Sequence, residues 1–254
     1  MRDPHSILIT GGSSGIGEAL ALAYAAPGIR LLLTGRDAQR LHAVADACES
    51  RGAVVERAVL DVTDRQAMAA WLQAQDDRHP IDLAIANAGI SAGTGDGGES
   101  EEQARSIFAV NLDGVLNTVH PLIPRMLARR RGQLALISSL AGFRGLPGAP
   151  AYCASKAAVR IYGEALRGEL AGQGVQVSVV CPGFVRSRMT AVNRFPMPFL
   201  MDAERSAAII RRGLAANRAR IAYPFPTYCV SWLLGVLPPA LTDRLLAAAP
   251  RKGG

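Results

Sequence analysis

Lysine is nearly missing from this 254-residue chain. Of its 28 basic residues only Lys156 and Lys252 are lysines, and the rest are arginines. Where one lysine stands in a helix of an arginine-rich protein, its compact ammonium is being used for something arginine does less easily. Cysteine is also scarce. Cys48, Cys153, Cys181 and Cys229 are scattered without C-x-x-C spacing, which excludes a zinc knuckle or dithiol motif and points to reduced, mostly buried thiols. His5, His42, His79 and His120 share no ligand spacing, so no metal site is expected. No run of 18 apolar residues exists, so no helix is expected to cross a bilayer. The polar stretch Met1 to Ser6 is too short for a signal peptide, and a cytoplasmic protein is expected. No repeat and no linker interrupts the chain, so residues 1–254 are read as a single domain. The net charge of +7 could serve a nucleic acid, but the basic residues are dispersed. Their one run, Arg129-Arg130-Arg131, lies at the end of a helical stretch, where cations suit the helix dipole. It reads as a solvated helix end, and no nucleic-acid partner is expected.

What the chain does have is order. At 49% hydrophobic it can bury a large core. Apolar runs at 5–10, 29–34, 53–60, 81–86, 133–138 and 175–181 read as buried strands. Helical patterns fall between them at about 15–26, 37–51, 64–77, 100–130 (in two pieces) and 151–172. Alternation of this kind predicts an α/β fold: a doubly wound parallel sheet between two helical layers, a Rossmann fold. Ligands on such sheets bind beyond the carboxyl ends of the strands. The glycine-rich stretch Ser91 to Ser100 reads as a mobile surface loop beside that edge. Residues 190–222 read as a substrate-loop region and 223–254 as an apolar tail.

Chemistry-bearing residues collect at the strand ends. Gly11, Gly15 and Gly17 follow the first strand and open a helix, within Thr10-Gly-Gly-Ser-Ser-Gly-Ile-Gly17. Small residues there let a backbone approach a pyrophosphate at the helix N-terminus. Tyr152 and Lys156, one helical turn apart, share a face. An ammonium beside a phenol lowers a pKa that is ordinarily near 10, and such a phenol exchanges protons near neutral pH. The plainer alternatives are a half-buried tyrosine, a solvated lysine and local caps at Ser139 and Asn111.

Taken together these motifs resemble the short-chain dehydrogenase/reductase family, in its single-domain branch of roughly 250 residues, over about residues 5–190. The glycine spacing G-x-x-x-G-x-G is the family's own, and the resemblance makes Gly11, Ser13, Ser14, Gly15, Ile16 and Gly17 cofactor contacts. It places Asp61-Val62 beside an adenine and Asn87-Ala88-Gly89 beside a ribose, with Ala86 where the family usually has asparagine. It aligns Pro182-Gly183-Phe184-Val185-Arg186-Ser187 with the family's P-G-x-x-x-T, with Pro182, Gly183, the Val185 backbone and Ser187 near the nicotinamide. Gly35 occupies the place where NAD enzymes carry an acid, and Arg36 follows it. That implies NADP(H), with NAD(H) less favoured, and makes Ser13 a second phosphate contact. Ser139, Tyr152, Lys156 and Asn111 are the implied catalytic set. Tyr152 supplies the proton and Ser139 donates to the substrate oxygen. Lys156 tunes the phenol and holds the nicotinamide ribose, while Asn111 holds a water linking Lys156 to solvent.

The implied activity interconverts a ketone or aldehyde and an alcohol, with carbonyl reduction of an apolar or lipid-like substrate favoured. A non-catalytic NADP(H) sensor of the same fold is the alternative. The tail breaks at Pro238-Pro239 into two expected amphipathic helices ending in a basic tip, Arg251-Lys252. Their apolar face is expected to cover the subunit or a neighbour in a homodimer or homotetramer, to touch a membrane surface peripherally, or to cap the substrate.

Overall fold

The three central strands are buried along their whole length because both of their faces are covered. In the computed structural model, which describes residues 3–91, 98–193 and 195–247 (the side chains of 244, 245 and 247 apart), seven strands form one parallel sheet. They are β1 (Ser6–Thr10), β2 (Arg30–Gly35), β3 (Val54–Val59), β4 (Leu83–Ala86), β5 (Gly132–Ile137), β6 (Val175–Pro182) and β7 (Arg220–Tyr223), in the order β3-β2-β1-β4-β5-β6-β7. Leu8 stands in register between Leu32 and Ala84. Successive side chains alternate between faces: Ile7, Ile9, Leu31 and Leu33 enter one core, and Leu8, Leu32, Ala84 and Leu134 the other. The first core is covered by α1 (Gly15–Tyr24), α2 (Ala38–Glu49) and α9 (Ala203–Ala215). The second is covered by α3 (Arg65–Arg78), α5 (Gly114–Val119), α6 (Ile123–Ala128) and α7 (Pro150–Glu169), with α4 (Glu101–Phe108) packed on α7. The strand order reverses between β1 and β4, which opens a crevice at their carboxyl ends.

Four expectations need correction. β3 is not buried: it is an edge strand, with Val54 and Val59 exposed by 62% and 52%. The helical stretch 100–130 is in more than two pieces. After α4 the backbone widens into a π-turn at Ala109–Asp113, and α6 follows α5 only after His120-Pro121-Leu122. Residues 190–222 are not all loop. They contain the end of the short helix α8 (Arg188–Ala191), all of α9 and most of β7. Gly213 makes that packing possible, since a Cβ there would lie 2.5 Å from Ile221. Finally, Arg129 is not a solvated helix end. With Arg125 it converges on the buried carboxylate of Asp76 at 2.8 Å, and it also donates to the Ile81 carbonyl. Burial alone would raise the Asp76 pKa, but bonds from the Ile81 amide, Arg129 and Arg125 hold it below the usual range.

The tail does form two helices, α10 (Phe225–Val236) and α11 (Pro239–Ala247), parted at Pro238. Residues 92–97 of the glycine-rich loop and the basic tip Arg251-Lys252 lie outside the described residues. Among the described residues no helix is long and apolar enough to cross a membrane.

Candidate active site

The crevice is built by close backbone contact. Gly11 and Gly15 have φ of +64° and +58°, values open to glycine at little steric cost. A Cβ on Gly17 would stand 2.2 Å from the Gly11 carbonyl. Thr10 ties the ends of β1 and β4 together: its hydroxyl accepts from the Asn87 and Ala88 amides at 3.0 and 3.1 Å. Asn87 Nδ2 in turn donates to the Thr10 and Gly11 carbonyls. The turn is held by glycines and by one asparagine, and its outer side is left free.

That free side opens into a cavity of about 980 Å³. Gly11, Ser13, Ser14, Gly15 and Ile16 line it from the first turn. Arg36, Asp61 and Val62 line it from the ends of β2 and β3, and Asn87, Ala88 and Gly89 from β4. Ser139, Tyr152, Lys156, Pro182, Gly183, Val185 and Ser187 complete the wall. Two residues named from the sequence stand behind it. Gly17 faces the Gly11 carbonyl, so it permits the turn without lining the cavity. Asn111, fully buried in the π-turn, accepts from the Ile90 amide and donates to the Ile90 carbonyl and Ser155 Oγ, at 2.8–3.0 Å. Its side chain is thus bonded to protein groups. Its Oδ1 lies beside the Gly89 position, where Lys156 Nζ also approaches.

At one end of the cavity Ser139, Tyr152 and Lys156 meet. Ser139 Oγ accepts from the Ala141 amide at 3.1 Å and is hydrogen-bonded to Tyr152. It therefore caps the 3-10 turn Leu140–Gly142 as well as facing the phenol. That turn seats on α7, because a Cβ on Gly142 would be 2.8 Å from the Lys156 carbonyl. Lys156 is 4% exposed, donates to the Ile137 carbonyl at 2.9 Å, and lies 5.9 Å from the centre of the Tyr152 ring. Burial lowers the Lys156 pKa from 10.5 to about 8. The expected lowering of the phenol pKa is not what this structure has. Burial raises Tyr152 above its ordinary value, and the Ser139 bond offsets this only in part. The physical reason is that burial penalises the phenolate, while Lys156 Nζ is engaged by the Ile137 carbonyl.

At the other end Arg36 and Asp61 are paired at 3.9 Å and stay 62% and 41% exposed. The missing Cβ of Gly35 would touch Ser13 Oγ at 3.0 Å, so an acid there would displace Ser13. Arg40 also lines this end, and its Nε is buried without a partner. The sequence reading missed it, although its place one helical turn beyond Arg36 was a usable signal. Capping the substrate was one of three roles expected of the tail, but Thr227 and Ser231 were not singled out; with Leu234, at spacings of four and three on α10, they line the cavity.

The family profile described as short chain dehydrogenase matches residues 5–196. An uncharacterized oxidoreductase of Myxococcus xanthus is 40% identical over 248 residues, covering 97% of each chain. Among solved structures, a short-chain dehydrogenase from Sphingobium yanoikuyae in complex with NADPH superposes with a TM-score of 0.81. It is 25% identical over 98% of both chains. A 3-oxoacyl-[acyl-carrier protein] reductase from Brucella melitensis with bound NAD has a TM-score of 0.73 and 24% identity, covering 86% of this chain and 89% of its own. Both dinucleotides thus occur on this fold.

Proposed function

The chain belongs to the short-chain dehydrogenase family, and on that premise we propose that it is an NADP(H)-dependent reductase of ketones or aldehydes with apolar substituents. The observation that carries the reading is that Ser139, Tyr152 and Lys156 meet in the same cavity that the glycine turn opens. The residues fit a dinucleotide: the turn is side-chain-free where a pyrophosphate would lie against the N-terminus of α1. Gly11, Gly15, Ser13, Asn87 and Lys156 would hold it, with Asp61 and Val62 at the base and the Val185 backbone and Ser187 at the carboxamide.

Bound nicotinamide supplies the hydride when reduced or takes it when oxidised. The chain's own residues manage the proton. Ser139 donates to the substrate carbonyl oxygen and holds it against the Tyr152 hydroxyl. Tyr152 gives that oxygen its proton. A phenol held above its ordinary pKa is fully protonated at neutral pH, the form that carbonyl reduction consumes. Lys156, with a pKa of about 8, is mostly a cation at neutral pH. Its charge stabilises the phenolate that remains, and Asn111 positions it through the Gly89 turn.

Arg36 supports NADP(H) over NAD(H). It is a guanidinium at the end of β2, where Gly35 stands in place of an acid, and Arg40, paired with Asp37 at 2.7 Å, lies at the same end. Cytoplasmic residence and a homodimer or homotetramer complete the reading. The exposed Ile161 of α7 and Phe108 of α4 supply apolar surface for a second copy, and the outer side of α10 leaves peripheral membrane contact as an added property.

The test is NADPH consumption by purified protein with ketosteroids, 3-oxoacyl thioesters, sugars and aromatic aldehydes. Tyr152→Phe should lower turnover by about 10²–10⁴-fold with NADPH affinity retained. A variant with near-normal rate, or a parent that oxidises NADPH with no carbonyl compound, overturns the proposal.

A further inference from the structure

The helix α10 carries no charged residue at any of its twelve positions. Thr227, Ser231 and Leu234, at spacings of four and three, share one face, and all three line the cavity at its Tyr152 end. The helix is fixed there by three contacts. A Cβ on Gly235 would be 2.4 Å from the Phe143 carbonyl, so α10 lies directly on the segment that follows Ser139. Tyr228 meets the Phe143 ring edge-on at 5.6 Å, and its hydroxyl accepts from Arg220 at 3.2 Å. Arg144 donates to Thr242 and Asp243 of α11. The tail is therefore part of the wall of the lobe where the substrate must lie.

That lobe is apolar at Leu146, Phe195 and Leu234, yet it contains polar atoms with nothing to bond. Thr227 Oγ1 and Asn193 Oδ1 are both buried and unpartnered, and both residues line the cavity. Buried polar groups are almost always partnered, and the exceptions call for a cause. A change of staggered χ1 rotamer is the movement by which either group would meet a ligand. Asn193 Oδ1 accepts only, whereas a threonine hydroxyl donates or accepts. A neutral hydroxyl can both donate to Asn193 Oδ1 and accept from Thr227 Oγ1. A carboxylate has no proton for Asn193 Oδ1.

We propose that α10 is the outer wall of the substrate lobe and that Thr227 and Asn193 bind a hydroxyl remote from the reacting carbon. The substrate class is thereby an apolar carbonyl compound bearing a distal hydroxyl. The inference rests on the reductase reading above and adds the substrate class to it.

The test compares three probes with NADPH: methyl hexyl ketone, its analogue with a terminal hydroxyl, and the keto acid of the same chain length. The hydroxyl ketone is expected to have the highest kcat/KM. Thr227→Val, a change of nearly equal shape, should reduce its advantage over the plain ketone by about 2- to 12-fold, the worth of one hydrogen bond. Leu234→Phe should raise KM for the hexyl ketones while changing KM for butanone far less, with kcat less affected than KM. Equal kcat/KM for the plain and hydroxyl ketones in the parent overturns the inference. So does a preference for the keto acid, which would mean that Arg144, whose Nε is also unpartnered, reads an anion. If another carbonyl compound is reduced and none of these three is, the inference fails and the reductase reading stands. If no carbonyl compound consumes NADPH, both fail.

Discussion

The two ends of the cavity handle charge in opposite ways. Near the end of β2, Arg36 and Asp61 face each other across 3.9 Å with most of the guanidinium in water. Solvent already stabilises both ions, so their pairing contributes little and Arg36 is free to accept a better anion. Near Tyr152 the Lys156 cation is sealed from solvent and bonded to a main-chain carbonyl, and its pKa drops to about 8. There the fold bears a cost for keeping a charge in place. Recognition can be done by a solvated ion that changes partners, whereas proton chemistry needs an ion positioned before the substrate arrives.

The sharpest break in this contrast is Lys156→Ala. It should lower turnover by about 10²–10⁴-fold and also weaken NADPH binding, measured by nicotinamide fluorescence; loss of turnover alone would remove its part in cofactor binding. Stability should move the other way. Below pH 8 both folded and unfolded chains carry the proton on Lys156, and the folded one bears the full desolvation cost. From about pH 8 to 10.5 the folded chain releases the proton while the unfolded chain keeps it, so stability rises with pH across that window. Lys156→Met should therefore stabilise the apoprotein near neutral pH by roughly 3 kcal/mol and flatten that rise. Urea titrations across the window in parent and variant would read both effects, and identical pH profiles would contradict the buried-cation account.

Arg36→Asp addresses the solvated end. A charge-assisted bond contributes roughly 1.5–3 kcal/mol, so the parent should favour NADPH over NADH by about 10- to 150-fold in kcat/KM. The variant should reverse that order. Equal efficiency with the two cofactors in the parent would end the argument from Arg36. The smallest effect is expected from Gly235→Ala. Its added methyl meets a backbone carbonyl that cannot swing aside, at a cost of about 1–3 kcal/mol. Displacing α10 should raise KM for carbonyl substrates with little change in NADPH affinity. A variant matching the parent in Tm and KM would show that α10 is not part of the lobe wall.

Much of the cofactor end was legible because its rules are local. Gly11 and Gly15 announce positive φ, β1 and β2 announce burial on both faces by unbroken apolar runs, and Gly35-Arg36 announces the absence of an acid. β3 was misjudged because Val54 and Val59 look equally apolar in the middle of a sheet and at its edge. Arg129 was misjudged because its partner, Asp76, lies more than fifty residues away in sequence. α9 has a readable apolar stripe at Ala207, Ile210 and Leu214, but proline-rich neighbours on both sides hid it.

The order of elements, the glycine turn and the identity of the residues at the strand ends follow from the amino-acid sequence alone, since backbone sterics and side-chain periodicity act over a few residues. Three things were decided only in the folded chain. One is the direction of the Tyr152 pKa, which depends on how deeply the ring is buried and on which oxygen holds Lys156 Nζ. Another is the placing of Gly17 and Asn111 behind the cavity wall, which depends on contacts with Gly11 and with Ile90 and Ser155. The last is the recruitment of α10 to the substrate lobe, where a glycine with no special torsion, Gly235, meets the Phe143 carbonyl from ninety-two residues away. Such contacts depend on distances between segments that no local pattern encodes.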